Sequence, residues 1–243
     1  MPKTKIQIVI LGSLPPGCAR QALLEWKSNL FEISPEIPTF QLNQNATGHD
    51  WEYTDQQIEG FLRQTFDCDI LLIVVRVRLQ DNWYLRRLSC NRLLFTFFEL
   101  DQILHFHNIP LNNIILRVLY AGVLIYLRCA KQIPPSSEGT LYAHDETRGC
   151  LFDMNPNKWD VIQSLHQPSL CESCVAQHRE AQVSEEQLRL AAKELKNIKR
   201  PLVDQIVRFV KAHTACSIIV SLIVALLIGT ASSLIAIYLN GVL

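Results

Sequence analysis

Apolar positions fall along the chain in continuous short runs, in helically spaced sets and in one long uninterrupted stretch. Residues 5–12 (KIQIVILG), closed by Gly and a Pro pair, read as a buried strand, as do 69–77 (DILLIVVRV), the most apolar strand of the N-terminal part. Residues 92–98 read as a further strand. Helical spacing runs over 20–30 through Leu23, Leu24, Trp26, Lys27 and Leu30, and over 54–65 with Ile58, Phe61 and Leu62 inward. Residues 100–107 predict a helical turn or two, and 112–131 (NNIILRVLYAGVLIYLRCAK) a strongly apolar helix. The order strand, helix, helix, strand predicts an α/β or α+β fold, a small layered sheet with helices and an irregular module after it. Residues 43–50 and 133–139 read as loops.

The long stretch is 215–239 (ACSIIVSLIVALLIGTASSLIAIYL), twenty-five residues without a charged side chain. As a helix it would measure about 37 Å, against a hydrocarbon core of about 30 Å. Only Asn240, Gly241, Val242 and Leu243 follow it, so the expectation is a C-terminal transmembrane helix acting as a tail anchor in the lipid bilayer. The apolar run at the N-terminus is too short for a secretory signal. Lys193, Lys196, Lys199, Arg200, Arg208 and Lys211 precede the span and nothing basic follows, which predicts a single-pass protein with its N-terminal domain cytoplasmic. Ser217, Ser221, Ala225, Gly229 and Ser233 recur every fourth residue, a small-residue face suited to homo-oligomerisation.

Ahead of the span, residues 184–213 predict two juxtamembrane helices. Ser184 and Gln187 have the spacing of a capping box for a helix over 185–199, and Pro201 suits the first position of a second helix continuing into the membrane. Leu188, Leu195, Leu202 and Phe209 fall seven apart, as in a short coiled-coil seam or a face that packs on the domain. The cytoplasmic domain itself is expected over 1–180.

Charge and composition narrow the function classes. Twenty-three Lys and Arg balance 23 Asp and Glu, which argues against nucleic acid as a partner. The stretch from Gly12 to Ala19 (GSLPPGCA) sits between strand and helix as a phosphate loop would. Cys18 and Ala19 stand where Lys and Ser or Thr are needed, however, and the prolines remove N–H donors.

The eight cysteines carry the candidate chemistry. Cys18, Cys68, Cys90, Cys129 and Cys216 stand alone and read as small buried hydrophobes. Cys171 and Cys174 form a Cys-x-x-Cys pair, with Cys150 upstream and His144 six residues before it. His144, Cys150, Cys171 and Cys174 match the ligand types of a closed, structural Zn2+ site, with His178 the alternative fourth ligand. A redox dithiol is the competing reading of the Cys pair, though such pairs open a helix after a strand and no strand is predicted there. Asp145, Glu146, Arg148 and Asp153 surround the site as supports of its ligands or as a polar surface of their own.

Taken together, IQIVILG followed by a helix, DILLIVVRV, the segment DNWYLRRLSCNRLLFTFF, a long helix and a Cys-rich end closed by Cys-x-x-Cys resemble the archaemetzincin-like zinc peptidases over roughly residues 5–178. The resemblance implies that Cys150, Cys171 and Cys174 belong to that family's second, structural zinc site, with His144 close to its last His-Cys pair. A zincin also needs two His one turn apart on a helix with a Glu between them. Residues 113–128 contain neither His nor Glu, and His105 and His107, two apart, precede that helix. The resemblance therefore implies a degenerate peptidase, a pseudoenzyme that keeps its structural metal.

The functional expectation is a tail-anchored protein whose zinc-stapled domain is a non-enzymatic binding or signalling module for a protein partner or small signal. A membrane effector of the kind used in bacterial defence is one specific form of it. The alternatives are a membrane-tethered hydrolase built from Asp145, Glu146, Arg148, Asp153 and a histidine, and a passive membrane scaffold.

Overall fold

The computed structural model describes residues 2–62, 65–140, 142–165, 167–198 and 202–242. The chain divides into two compact units, Met1–Lys199 and Arg200–Leu243.

The first unit is a mixed α/β fold. In chain order it contains β1 (Thr4–Leu11), α1 (Arg20–Leu24), β2 (Phe31–Ile33), β3 (Thr39–Phe40), α2 (Asp55–Phe61), β4 (Ile70–Val75), β5 (Leu85–Leu88) and β6 (Arg92–Thr96). Helices α3 (Leu100–Phe106), α4 (Leu111–Arg128), α5 (Val161–Leu165), α6 (Glu172–Glu180) and α7 (Glu185–Leu195) follow. The six strands form one sheet in the order β2-β1-β4-β6-β5, with β3 also on β1. Every pairing is parallel except that of β5, which runs antiparallel to β6 at the edge.

Alternation across the strands builds two cores. Ile6, Ile8 and Ile10 of β1 and Ile70, Leu72 and Val74 of β4 face α4, while Val9, Leu11, Leu71, Ile73 and Val75 face Ile58 and Leu62 on the α2 side. A sheet covered on both faces leaves its central strands continuously apolar, which is why 5–12 and 69–77 carry no polar alternation. Helix α4 is the axis of the larger core, with Ile114, Ile115, Val118, Leu119, Val123 and Leu124 inaccessible to solvent. At Gly122 it lies directly on the sheet, where a Cβ would sit 2.3 Å from Leu93 Cδ1.

Three expectations are corrected in detail. The helix expected over 20–30 ends at Leu24 because the following residues are committed to tertiary contacts: Trp26 Nε1 donates to the Tyr120 hydroxyl and Ser28 Oγ to Glu194. The helix expected over 54–65 is the shorter α2, which begins at Asp55 under the Thr54 cap, whose side chain accepts Gln57 N–H at 3.2 Å, and ends at Phe61. Strands β2, β3 and β5 were not expected: the first two are only three and two residues long, and β5 (LRRL) carries two arginines.

Helix α7 has the expected capping box, Ser184 with Gln187. Leu188, Ala191 and Leu195 are buried in the first unit, so at these positions the seven-residue spacing marks a face packed on the domain. The Leu202 side chain lies outside the described residues.

The second unit holds α8 (Leu202–Ala212) and α9 (Thr214–Val242), two helices with His213 between them. Helix α9 encloses the expected stretch 215–239, and its described apolar run is Ile218–Ser233. Ile218, Leu222, Leu226 and Ile228 on it are 57%, 60%, 69% and 61% exposed. Among the described residues, α4 is the helix long and apolar enough to cross a membrane, and it is buried in the domain core.

Candidate metal centre

The Cys-rich module follows α4 and wraps back on itself through two short parallel bridges, His144 to Asp153 and Cys150 to Ser169. The second bridge carries the Cys-x-x-Cys pair up to Cys150. Cys171 immediately precedes α6 and Cys174 lies in its first turn, so the pair does open a helix. His144, Cys150, Cys171 and Cys174 are thereby brought together, with one ligand atom from each lying within 4.8 Å of all the others.

The separations fit a tetrahedral ion. Bond lengths of about 2.3 Å to sulfur and 2.0 Å to nitrogen place two sulfurs about 3.8 Å apart and a sulfur and a nitrogen about 3.5 Å apart. Cys150 Sγ and Cys174 Sγ are 3.8 Å apart, and Cys171 Sγ and His144 Nε2 are 3.5 Å apart. His144 Nδ1 lies 2.8 Å from the Glu146 carbonyl. A ring N–H donated there leaves the Nε2 lone pair turned toward the three sulfurs.

The electrostatics favour a thiolate at Cys150 and Cys171 and a thiol at Cys174. Cys150 is pushed down to about 4: the hydrogen bond it shares with Cys174 lowers it most, burial opposes this, and the N–H groups of Phe152 and Cys171 lower it further. Cys174 is held well above its ordinary value by the same contact with Cys150 and by burial. Burial opposes charge on Cys171, but hydrogen bonds from Ser173 and Cys174 outweigh it and lower its pKa. Burial likewise opposes the charged form of His144, and the neighbouring Cys150 and Cys171 reverse that and raise it.

His178 is not one of the four. Its ring is fully buried against Phe152, with centroids 5.1 Å apart, and its Nδ1 lies 2.7 Å from the Cys174 carbonyl. It belongs to α6 itself, one turn after Cys174, and burial lowers its pKa.

The surrounding polar residues divide. Asp153 is buried, and its Oδ2 accepts the N–H groups of Arg148 and Cys150 at 3.1 and 2.9 Å, which pins the loop carrying Cys150. Its Oδ1 stands 3.6 Å from His144 Nε2. Glu146 and Arg148 pair with each other at the exposed surface, and Asp145 is exposed. Cys18, Cys68, Cys90 and Cys129 are free thiols outside the group, Cys90 exposed and the other three half-buried, and burial pushes Cys18 up to about 11. The Cys216 side chain lies outside the described residues.

Beside the metal group, a cavity of about 390 Å3 opens between edge strand β5, helix α4 and the Cys-rich module. The positions that α4 presents to it one turn apart are Arg117, Ala121 and Ile125. Arg117 was missed by pattern reading, although a single cation inside an otherwise apolar helix was a visible signal.

No protein-family model, no curated protein and no solved structure matches the chain.

Proposed function

We propose that the protein is a single-pass, C-terminally anchored membrane protein whose N-terminal unit is a cytoplasmic, zinc-stapled binding module without catalytic metal chemistry. The observation that carries this reading is α9: in the unit that it shares with α8, it turns large apolar side chains outward on every described turn from Ile218 to Ile228. Water penalises such a surface and lipid does not. The basic residues from Lys193 to Lys211 support a cytoplasmic N-terminal unit.

Zinc is the ion that three thiolates and one imidazole at these separations suit best. Four protein ligands leave no position for a reactive water, so the ion would staple the module. The order of β1, α1, β4, the β5–β6 hairpin, α4 and the Cys-rich end supports kinship with the archaemetzincin-like peptidases. Arg117 and Ala121 at the cavity support a descendant that binds and does not hydrolyse. Ala225, Gly229 and Ser233, which line one shallow groove on α9, support self-association through that face.

Alkaline carbonate extraction with protease protection tests the reading. The full chain should stay in the membrane pellet, with an N-terminal tag open to protease only from the cytoplasmic side. Release by carbonate, or a tag protected on that side, overturns it.

A further inference from the structure

The cavity between β5, α4 and the Cys-rich module holds two guanidinium groups that have no carboxylate in contact with them among the described residues, the exposed Glu138 acting on Arg87 only from a distance. Arg117 is 2% exposed, yet its partners are neutral: Nη1 donates to the Tyr84 hydroxyl at 3.2 Å and Nη2 to the Asp153 carbonyl at 3.1 Å. Its Nε–H is buried with no partner. Arg87, on the edge strand, donates Nη2 to the Thr140 carbonyl and lies over the Tyr142 ring at 4.7 Å, while its buried Nη1 also has no partner.

Neither guanidinium has a carboxylate within ion-pair distance among the described residues. The acids that line the cavity are engaged elsewhere or sit at its rim. Asp153 directs its carboxylate to the N–H groups of Arg148 and Cys150 and toward His144, and Asp81 is largely exposed beside Arg86. Arg86 itself is already matched by Asp55 through two bonds, of 2.6 and 2.7 Å.

A buried cation with unfilled donors is costly unless something compensates it. Much of the remaining wall is apolar, including Leu93, Ile125, Leu151 and Phe152, with Tyr84, Tyr142, Ser136 and Thr140 adding polar groups. A volume of about 390 Å3 is in the range of small-molecule sites.

We propose that this cavity binds a small organic anion, an apolar body carrying one carboxylate or phosphate head, with Arg117 and Arg87 as the groups that receive the head. Guanidinium is suited to both heads, since its N–H fork matches two oxygens of either. The apolar walls and Ala121 then take the body, and burial of the charge supplies selectivity against neutral analogues. Because Arg117 stands on α4 and Asp153 holds the Cys150 loop, ligand binding would join the core helix to the metal module. This inference deepens, and rests on, the reading of the N-terminal unit as a binding module.

The test uses the full chain in lipid nanodiscs, titrated with naphthalene-2-carboxylate, with naphthyl phosphate and with the neutral naphthalene-2-carboxamide, against empty nanodiscs as the blank. Saturable binding of at least one anionic probe is expected, with the carboxamide weaker by roughly tenfold or more. Arg87→Gln, at the half-buried edge, should weaken the anion by a similar factor and leave the carboxamide unchanged. Ala121→Leu, which fills the cavity and keeps both arginines, should abolish both. If the carboxamide binds as tightly as the anions, or Arg87→Gln binds them like the parent, the anion assignment falls while the binding-module reading stands. If no probe binds a chain that extracts as a membrane protein with its metal in place, the cavity is a structural void and this inference alone is overturned.

Discussion

The Glu194 carboxylate of α7 accepts the hydroxyl of Tyr120 on α4 at 2.8 Å, joining residues 74 positions apart inside the protein. The same carboxylate accepts Ser28 Oγ at 2.6 Å and the Asn29 backbone and side-chain N–H groups at 2.8 and 3.0 Å. Helix α7 is thus tied by a buried charge to α4 and to the loop that enters β2.

Glu194→Gln should destabilise the first unit by about 2 kcal/mol, since it removes charge-assisted hydrogen bonds and keeps the shape. Burial works against the carboxylate, but its four donors outweigh this and hold its pKa below the ordinary value of 4.5. A depressed carboxylate stabilises the fold fully above that value, and the contribution disappears as pH falls through the lower, folded-state value. Thermal unfolding of parent and variant should therefore differ at neutral pH and converge in acid below 4.5; a gap that widens in acid contradicts this.

At Gly122 the core has no room for a methyl group, because the new Cβ would meet Leu93 Cδ1 at 2.3 Å. Gly122→Ala should cost about 1–3 kcal/mol by overpacking, although Ala is the better helix former. Gly229→Ala, with nothing within 4 Å, should leave the stability of the first unit unchanged in the same denaturation series.

Within α9, Leu226→Arg places a cation in the middle of the described apolar run, at an insertion cost of about 2.5–3.5 kcal/mol if that run crosses a bilayer. The variant should shift from the carbonate-resistant to the extractable fraction. Gly229→Leu should keep the chain in the membrane and reduce cross-linked dimers; unchanged cross-linking would exclude that face as the contact.

The two central strands, the core helix and the four clustered residues were legible because each has a strong local signature: a continuous apolar run, a long apolar helix, a Cys-x-x-Cys with nearby Cys and His. Strand β5 was not, since Arg86 and Arg87 lie in it, and only the fold shows Arg86 matched by Asp55 and Arg87 set over Tyr142. The early end of α1 has the same origin, with Trp26 and Ser28 drawn into contacts with Tyr120 and Glu194. Spacing alone left His144 and His178 equivalent. What separates them is the turn that bonds His144 Nδ1 to Glu146 and the ring packing that buries His178 on Phe152.

Acid should release the metal. Cys150 needs little deprotonation, but Cys174 and His144 hold their protons to higher pH than usual, so an incoming ion must displace them. Affinity should fall roughly tenfold per pH unit for each proton displaced. Competition with a chelator across neutral to acid pH measures the slope, and a flat profile contradicts the ligand set.

Elemental analysis of the purified full chain, with Cys171→Ser, His144→Ala and His178→Ala alongside, tests the central claim most directly. About one zinc per chain is expected, lost in Cys171→Ser, lost or greatly weakened in His144→Ala and retained in His178→Ala. A parent chain without metal, or zinc that survives Cys171→Ser, would contradict the zinc-stapled module.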